Sequence, residues 1–387
     1  MVLGVEISAI ALLLLLASSA SAQNGVFNIK NYNPKADIAE ALLAAFKEAC
    51  ASATPSKVLV PAGEYTMGPV EMKGPCKSTV EVQVDGNLKA PVEPKGEPGW
   101  VSFQYIDGLT FSGKGVFDGQ GHVAWANNHC NKNPNCKAFP LNFRFTSLKH
   151  ALIKDVTSKD SKNFHVNVIN CENITFQNFV IDAPAESLNT DGIHMGRSKG
   201  VQIIDTKIGT GDDCISLGDG SQQVTVTGVT CGPGHGISIG SLGRYDNEEP
   251  VIGVHVKNCT LKNTDNGVRI KSWPAMKGGE ASDIHFEDII MDNVSNPIII
   301  DQEYCPWNQC TKESPSKVKI SNVSFKNIKG TSNTPVAVKI LCSSGIPCEK
   351  VELNGIDLKY TGNQGPAKSE CKNAKLTVTG TLNPPGC

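Results

Sequence analysis

The chain is predicted to be all-β: a right-handed, single-stranded parallel β-helix with a short N-terminal capping helix. Three observations predict it. Five-residue apolar strands recur at Gly192–Gly196, Cys214–Gly218, Gly236–Gly240, Gly267–Lys271, Pro297–Asp301 and Pro335–Lys339. The first three start 22 residues apart and the later ones 31, 30 and 38 apart, which suits stacked coils joined by loops of variable length. A second family begins at Ile174, Val201, Val224, Val254, Ile284, Val318 and Val351, and alternates apolar and polar residues with the period of a strand. Its fifth residues are Asn178, Asp205, Gly228, Asn258, Asp288, Asn322 and Gly355, types that tolerate positive φ and so bend each strand into the next. A sandwich or barrel would need hairpin turns, but Asp191-Gly192 and Asn266-Gly267 open strands rather than join them.

In chain order, the first element is a secretory signal, residues 1–22. An apolar run leads to Ala20-Ser21-Ala22, an A-x-A cleavage site, although the segment before the run carries Glu6 and no Lys or Arg. The run from Ile7 to Ala17 is well short of the ~20 apolar residues a membrane span needs, and no later segment is long enough. Residues 23–387 are expected to form one catalytic β-helix domain, since no linker or low-complexity stretch divides them. Ile38, Ala41, Leu42, Ala45 and Phe46 recur at helical spacing, so a helix over 36–51 is expected to cap the open end of the stack, between strands near 26–29 and 58–60. The tail after Tyr360 shows no clear repeat and is expected to close the other end.

The formal net charge of −2 excludes a broad basic surface for nucleic acid, and means that a polyanionic ligand needs a local cationic patch. The 14 cysteines are an even number, consistent with an oxidising compartment. Spacing suggests Cys50–Cys76, Cys130–Cys136, Cys214–Cys231, Cys305–Cys310, Cys342–Cys348 and Cys371–Cys387, with Cys171 and Cys259 as buried free thiols. No Cys-x-x-Cys pair supports a zinc site, and neither a metal nor a cofactor is expected. Asn173, Asn258, Asn293 and Asn322 open glycosylation sequons.

The chemistry resides in one repeating slot. The residues just before the first-family strands are Asp191, Asp213, His235, Asn266, Asn296 and Thr334. Stacked strands lie ~4.8 Å apart, so Asp191, Asp213 and His235 become neighbours, with Asp212 beside them. Carboxylates this close raise one another's proton affinity, which marks a site rather than a scaffold. Asp212 and Asp213 are adjacent in sequence and share a face only if a turn or bulge lies there. Arg269 and Lys271 alternate along one strand, face the same side, and are suited to clamp a substrate carboxylate.

The set Asn189-Thr-Asp191, Gly211-Asp-Asp213, Gly234-His-Gly236 and Arg269-Ile-Lys271, in this order, resembles the polygalacturonases of glycoside hydrolase family 28. The resemblance runs through Cys231–Gly243 and back to Val60–Tyr65, and so covers nearly all the mature chain. It implies hydrolysis of galacturonan with inversion, with Asp212 as general acid and Asp191 and Asp213 activating water. His235 is read as a hydrogen-bond partner of the carboxylates or of a sugar hydroxyl. Tyr304 resembles a family tyrosine that contacts the sugar, and Asn189 is placed with the substrate-binding residues. The implied partner is pectin or polygalacturonate in the plant cell wall, met by a secreted monomer with no membrane or nucleic-acid partner. The stretch Gly74–Gly86 and the overall length resemble the exo-acting, pollen-type branch, and the insertion from Gly119 to Pro140 is a candidate cleft wall. An endo-acting enzyme, a Ca²⁺-dependent pectate lyase and a non-catalytic wall-binding protein are the alternatives.

Overall fold

A computed structural model describes residues 25–93, 99–129, 139–275, 277–308, 310–311 and 313–386. Its strands stack into ladders of eleven and twenty members, and every pairing between the described strands is parallel. This is a parallel β-helix.

The eleven-strand ladder contains all six predicted first-family strands. Ile193, Ile215, Ile237, Val268 and Ile298 lie in register, so Asp191, Asp213, His235, Asn266 and Asn296 share one slot, two residues earlier. The last coil departs from expectation. Ile298 pairs with Val338, which puts Val336 rather than Thr334 in the slot. The turn before that strand, closed by Thr334 N–H donating to Ser332 Oγ (3.2 Å), takes up the two extra residues. Four coils precede those legible in the sequence, through Val70–Lys73, Gly99–Gln104, Leu141–Thr146 and Val166–Ile169.

The second family also stacks, with one correction. Ile284 pairs with Val323, not Val318, and Val323 pairs with Val351. Both valines open an apolar alternation and both are followed four residues later by an asparagine, so the sequence offers two registers five residues apart. The left-handed slot is therefore filled by Asn327 (φ 51°), in line with Asn178 (49°), Asp205 (49°), Asn258 (53°) and Asp288 (54°). Asn322 is left-handed too (54°), but in a neighbouring column with Asp283. Within these columns the asparagine amides satisfy one another's neighbours, as where Asn327 Nδ2 donates to Asp288 Oδ1 (3.1 Å).

Inward side chains stack as in-register ladders. Phe103 lies on Phe145 (5.6 Å between centroids) and Phe286 on Phe325 (5.2 Å), all fully buried. Each such side chain contributes about 1.5–3 kcal/mol.

The capping helix runs Ala39–Ala51, burying Ala41, Leu42, Ala45, Phe46 and Ala49 against the first coil. It starts later than expected because Asp37 is extended: its carboxylate accepts from Ala39 N (2.8 Å) and Gly68 N (2.9 Å). At the other end, Lys368–Lys372 and Ala374–Asn383 form a further coil where no repeat was legible. Most side chains of the final strand are exposed, so burial imposes no apolar alternation on it.

Disulfides join Cys50–Cys76, Cys214–Cys231, Cys305–Cys310 and Cys342–Cys348, while Cys171 and Cys259 are free and buried, all as expected. Cys371 is disulfide-bonded. Its expected partner Cys387, the pair Cys130–Cys136 and the signal peptide 1–22 lie outside the described residues. The four sequon asparagines are exposed. No helix among the described residues is long and apolar enough to cross a membrane.

Candidate active site

The site forms where consecutive coils bring their pre-strand turns together. The sequence Thr210-Gly-Asp-Asp213 is a bend rather than a strand, so Asp212 and Asp213 are freed from opposite-face alternation. The bend is tied to the coil below: Gly211 N donates to Thr190 Oγ1 (3.0 Å), and Thr190 and Thr210 hydroxyls meet at 2.7 Å. Gly211 cannot carry a side chain, because a Cβ there would lie 2.1 Å from Ser187 O. Asp213 N donates to Asp212 Oδ1 (2.7 Å), aiming Asp212 outward, with its side chain 22 % exposed.

The two flanking aspartates are buried and differ in proton affinity. Burial, with Asp212 and Asp213 nearby, pushes Asp191 well above the usual carboxylate range. Burial would raise Asp213 as well. Lys271 Nζ and Arg269 Nη2, each 2.7 Å from one of its oxygens, outweigh that and hold it down at about 2. Asp213 is therefore an ion and Asp191 retains its proton more readily.

His235 Nδ1 lies 3.2 Å from Asp212 Oδ1, and its Nε2 lies 3.4 Å from Asp265 Oδ2. Burial lowers its proton affinity, but the bond to Asp212 and the surrounding carboxylates raise it overall. Arg269 and Lys271 face the same side, as expected, and both are engaged by Asp213. Tyr304 lies over them, 5.3 Å from Lys271 Nζ and 6.0 Å from Arg269 Cζ, and packs edge-on against Trp273. Asn189 lines the same cleft, and its Oδ1 accepts from Asn128 Nδ2 (3.2 Å).

Several participants were not singled out from sequence. Ser216 donates to Asp191 Oδ2 and Ser238 to Asp213 Oδ1, each at 2.8 Å and each from the coil above. His194 Nδ1 lies 2.8 Å from Ser216 Oγ, and burial lowers the imidazole to about 4, so it is neutral. The signal was available: Ser216 and Ser238 occupy the same register position as Arg269. Atoms of Asp212, Asp213 and His235 lie within 4.8 Å of one another, as metal ligands do. A divalent cation there would compete with Arg269 and Lys271 for Asp213, so this donor set does not suit one.

A β-helix bearing a carboxylate cluster and buried cations on an open cleft is a framework for acid–base cleavage of an extended polymer. The family model described as glycosyl hydrolases family 28 matches residues 50–381, and the chain belongs to that family. It is 56% identical to an exopolygalacturonase of Platanus acerifolia, covering 93% of this chain and 97% of that protein. It is 57% identical to an exopolygalacturonase of Oenothera organensis, covering 91% and 98%. Among solved structures, the endo-xylogalacturonan hydrolase from Aspergillus tubingensis aligns with a TM-score of 0.79 at 25% identity, over 92% of this chain and all of that one.

Proposed function

We propose that this protein is a secreted exo-polygalacturonase. It hydrolyses α-1,4-galacturonosyl linkages of de-esterified pectin from the non-reducing end with inversion, as a monomer in the plant cell wall after loss of residues 1–22. The observation that carries this reading is the graded carboxylate cluster: a depressed Asp213, a raised Asp191, and the more exposed Asp212 beside them on the cleft. Inversion needs one carboxyl to protonate the leaving oxygen and another to activate water on the opposite face. Asp212, the most exposed of the three, gives its proton to the glycosidic oxygen. Asp213 takes the proton of the attacking water, with Asp191 orienting that water. His235, bonded to Asp212, holds the acid in place. Arg269 and Lys271 keep Asp213 ionised and face the substrate, while Tyr304 and Asn189 contact the sugar.

The likeness to exopolygalacturonases over more than nine-tenths of the chain supports exo action. So does the segment 119–129, on the N-terminal side of the site. Its helix His122–Ala126 is pinned by Trp125 Nε1 donating to Ser161 O (2.9 Å), and its Asn128 bonds Asn189 in the cleft. A segment fixed against Asn189 would limit how many sugars bind on that side.

Reducing-sugar release from polygalacturonate, with product chromatography and early proton NMR, tests the reading. Monogalacturonate should appear from the first minutes, as the β anomer, and a chelator should have no effect. A chelator-sensitive unsaturated product would mean a lyase, a ladder of oligomers an endo enzyme, and no release a binding protein. In addition, Asp212→Asn should stay folded and lose roughly 10²–10⁴-fold in kcat, the usual worth of general acid–base help.

A further inference from the structure

The cations beside the aspartates are already committed. Lys271 and Arg269 each lie 2.7 Å from Asp213, and Lys271 is almost fully buried. A galacturonan chain brings one carboxylate per sugar, so a sugar out of reach of Arg269 and Lys271 calls for a further cation. Arg244 meets that description. It lines the same cleft, its side chain is exposed, and among the described residues its guanidinium has no ion-pair partner.

Arg244 is also held ready. Its Cζ sits 5.0 Å from the Trp273 ring and 5.4 Å from that of Tyr245. Trp273 is buried and packs on Tyr304, so the aromatic support is continuous with the site. The turn carrying Arg244 is fixed by Glu248, whose carboxylate accepts from Gly243 N (2.6 Å), Arg244 N (2.9 Å) and Tyr245 N (2.9 Å). Those three bonds satisfy Glu248 locally and leave the guanidinium free. A guanidinium held over an indole ring keeps N–H groups available for a carboxylate fork, at little further entropic cost.

We propose that Arg244 is a specificity-determining residue that receives the carboxylate of a substrate uronic acid. The sugar concerned lies on the C-terminal side of the aspartates, one to two coils or ~5–10 Å along the stack from Asp213. This inference rests on the polygalacturonase reading above. It adds a second carboxylate receptor, built from the loop after the strand Ile237–Leu242.

The test compares wild type, Arg244→Gln and Arg244→Lys on trigalacturonate and its methyl ester at two ionic strengths. Arg244→Gln should raise KM on the free acid about tenfold, the worth of one partly screened charged contact, with a smaller effect on kcat. It should also flatten the salt dependence of KM and narrow the preference for acid over ester. Arg244→Lys should recover part of the loss, since it restores charge without the fork. Calorimetric titration of trigalacturonate into Asp212→Asn, with and without Arg244→Gln, reads binding apart from turnover and should show the same tenfold weakening. Unchanged KM, salt dependence and affinity in a folded Arg244→Gln, with wild type active, overturn the role of Arg244 alone. A wild type that neither binds nor cleaves trigalacturonate overturns the parent reading and this one with it.

Discussion

Asp191 and Asp213 occupy the same slot of consecutive coils. Each is buried, and each accepts a 2.8 Å hydrogen bond from a serine on the coil above. Their proton affinities nevertheless diverge, Asp191 pushed up and Asp213 held at about 2. The difference lies two coils above Asp213, where Arg269 and Lys271 reach down to it and to no other carboxylate of the cluster at bonding distance. Repetition of a coil thus reproduces geometry without reproducing chemistry, because each slot is conditioned by what its neighbours contribute. The divergence leaves Asp213 the ionised member of the pair, as its role as base requires.

The strongest way to break this comparison is Asp213→Asn. It leaves two buried cations without their carboxylate, and removing one partner of such a cluster costs about 3–5 kcal/mol. Urea denaturation at neutral pH should show that loss, and activity should vanish with it. The stabilising contribution of a depressed carboxylate is present above its unfolded pKa, ~3.9, and disappears as pH falls through about 2. The gap between wild type and Asp213→Asn should therefore close in strong acid. A loss under about 1 kcal/mol at neutral pH would mean that Arg269 and Lys271 find other partners.

Asp191→Asn should behave in the opposite sense. A carboxyl whose folded pKa is raised favours folding below ~3.9 and loses that contribution as pH rises through the folded value. The amide does not titrate, so the variant should gain on wild type as pH rises, by roughly 1 kcal/mol, the usual size for a point substitution. Thermal melts across mildly acidic to mildly alkaline pH decide it. A difference that shrinks with rising pH would place the proton elsewhere in the cluster.

The smallest and sharpest contrast is between the two serines. Ser238→Ala removes a bond to an ionised carboxylate and the acceptor of Arg269 Nε (3.0 Å), worth about 1.5–3 kcal/mol. Ser216→Ala removes a bond to a group that tends to be neutral, worth about 0.5–1.5 kcal/mol. Equal losses in denaturant melts would mean that the two aspartates carry the same charge.

Much of this molecule was legible because a solenoid writes its fold as a local repeat. The left-handed asparagines, the apolar pentads and the slot of Asp191, Asp213 and His235 each need only sequence spacing. Legibility failed where spacing offered two answers, as between Val318 and Val323, or where a turn absorbed residues, as before Val336. It failed too in the last coil, which has no covering neighbour to impose burial on its outer face.

By itself the sequence determined the class of fold, the coil register through the site, four disulfide pairs and the identity of the clustered carboxylates. These follow from periods and separations along one chain, which backbone geometry converts directly into position. Only the tertiary structure decided that Arg269 and Lys271 are bound to Asp213, that burial raises the proton affinity of Asp191, and that Arg244 lies over Trp273 without an ion-pair partner among the described residues. Those outcomes depend on distances between side chains of different coils and on the water each has lost. Electrostatic energy follows separation and burial, and neither is encoded in spacing along the chain.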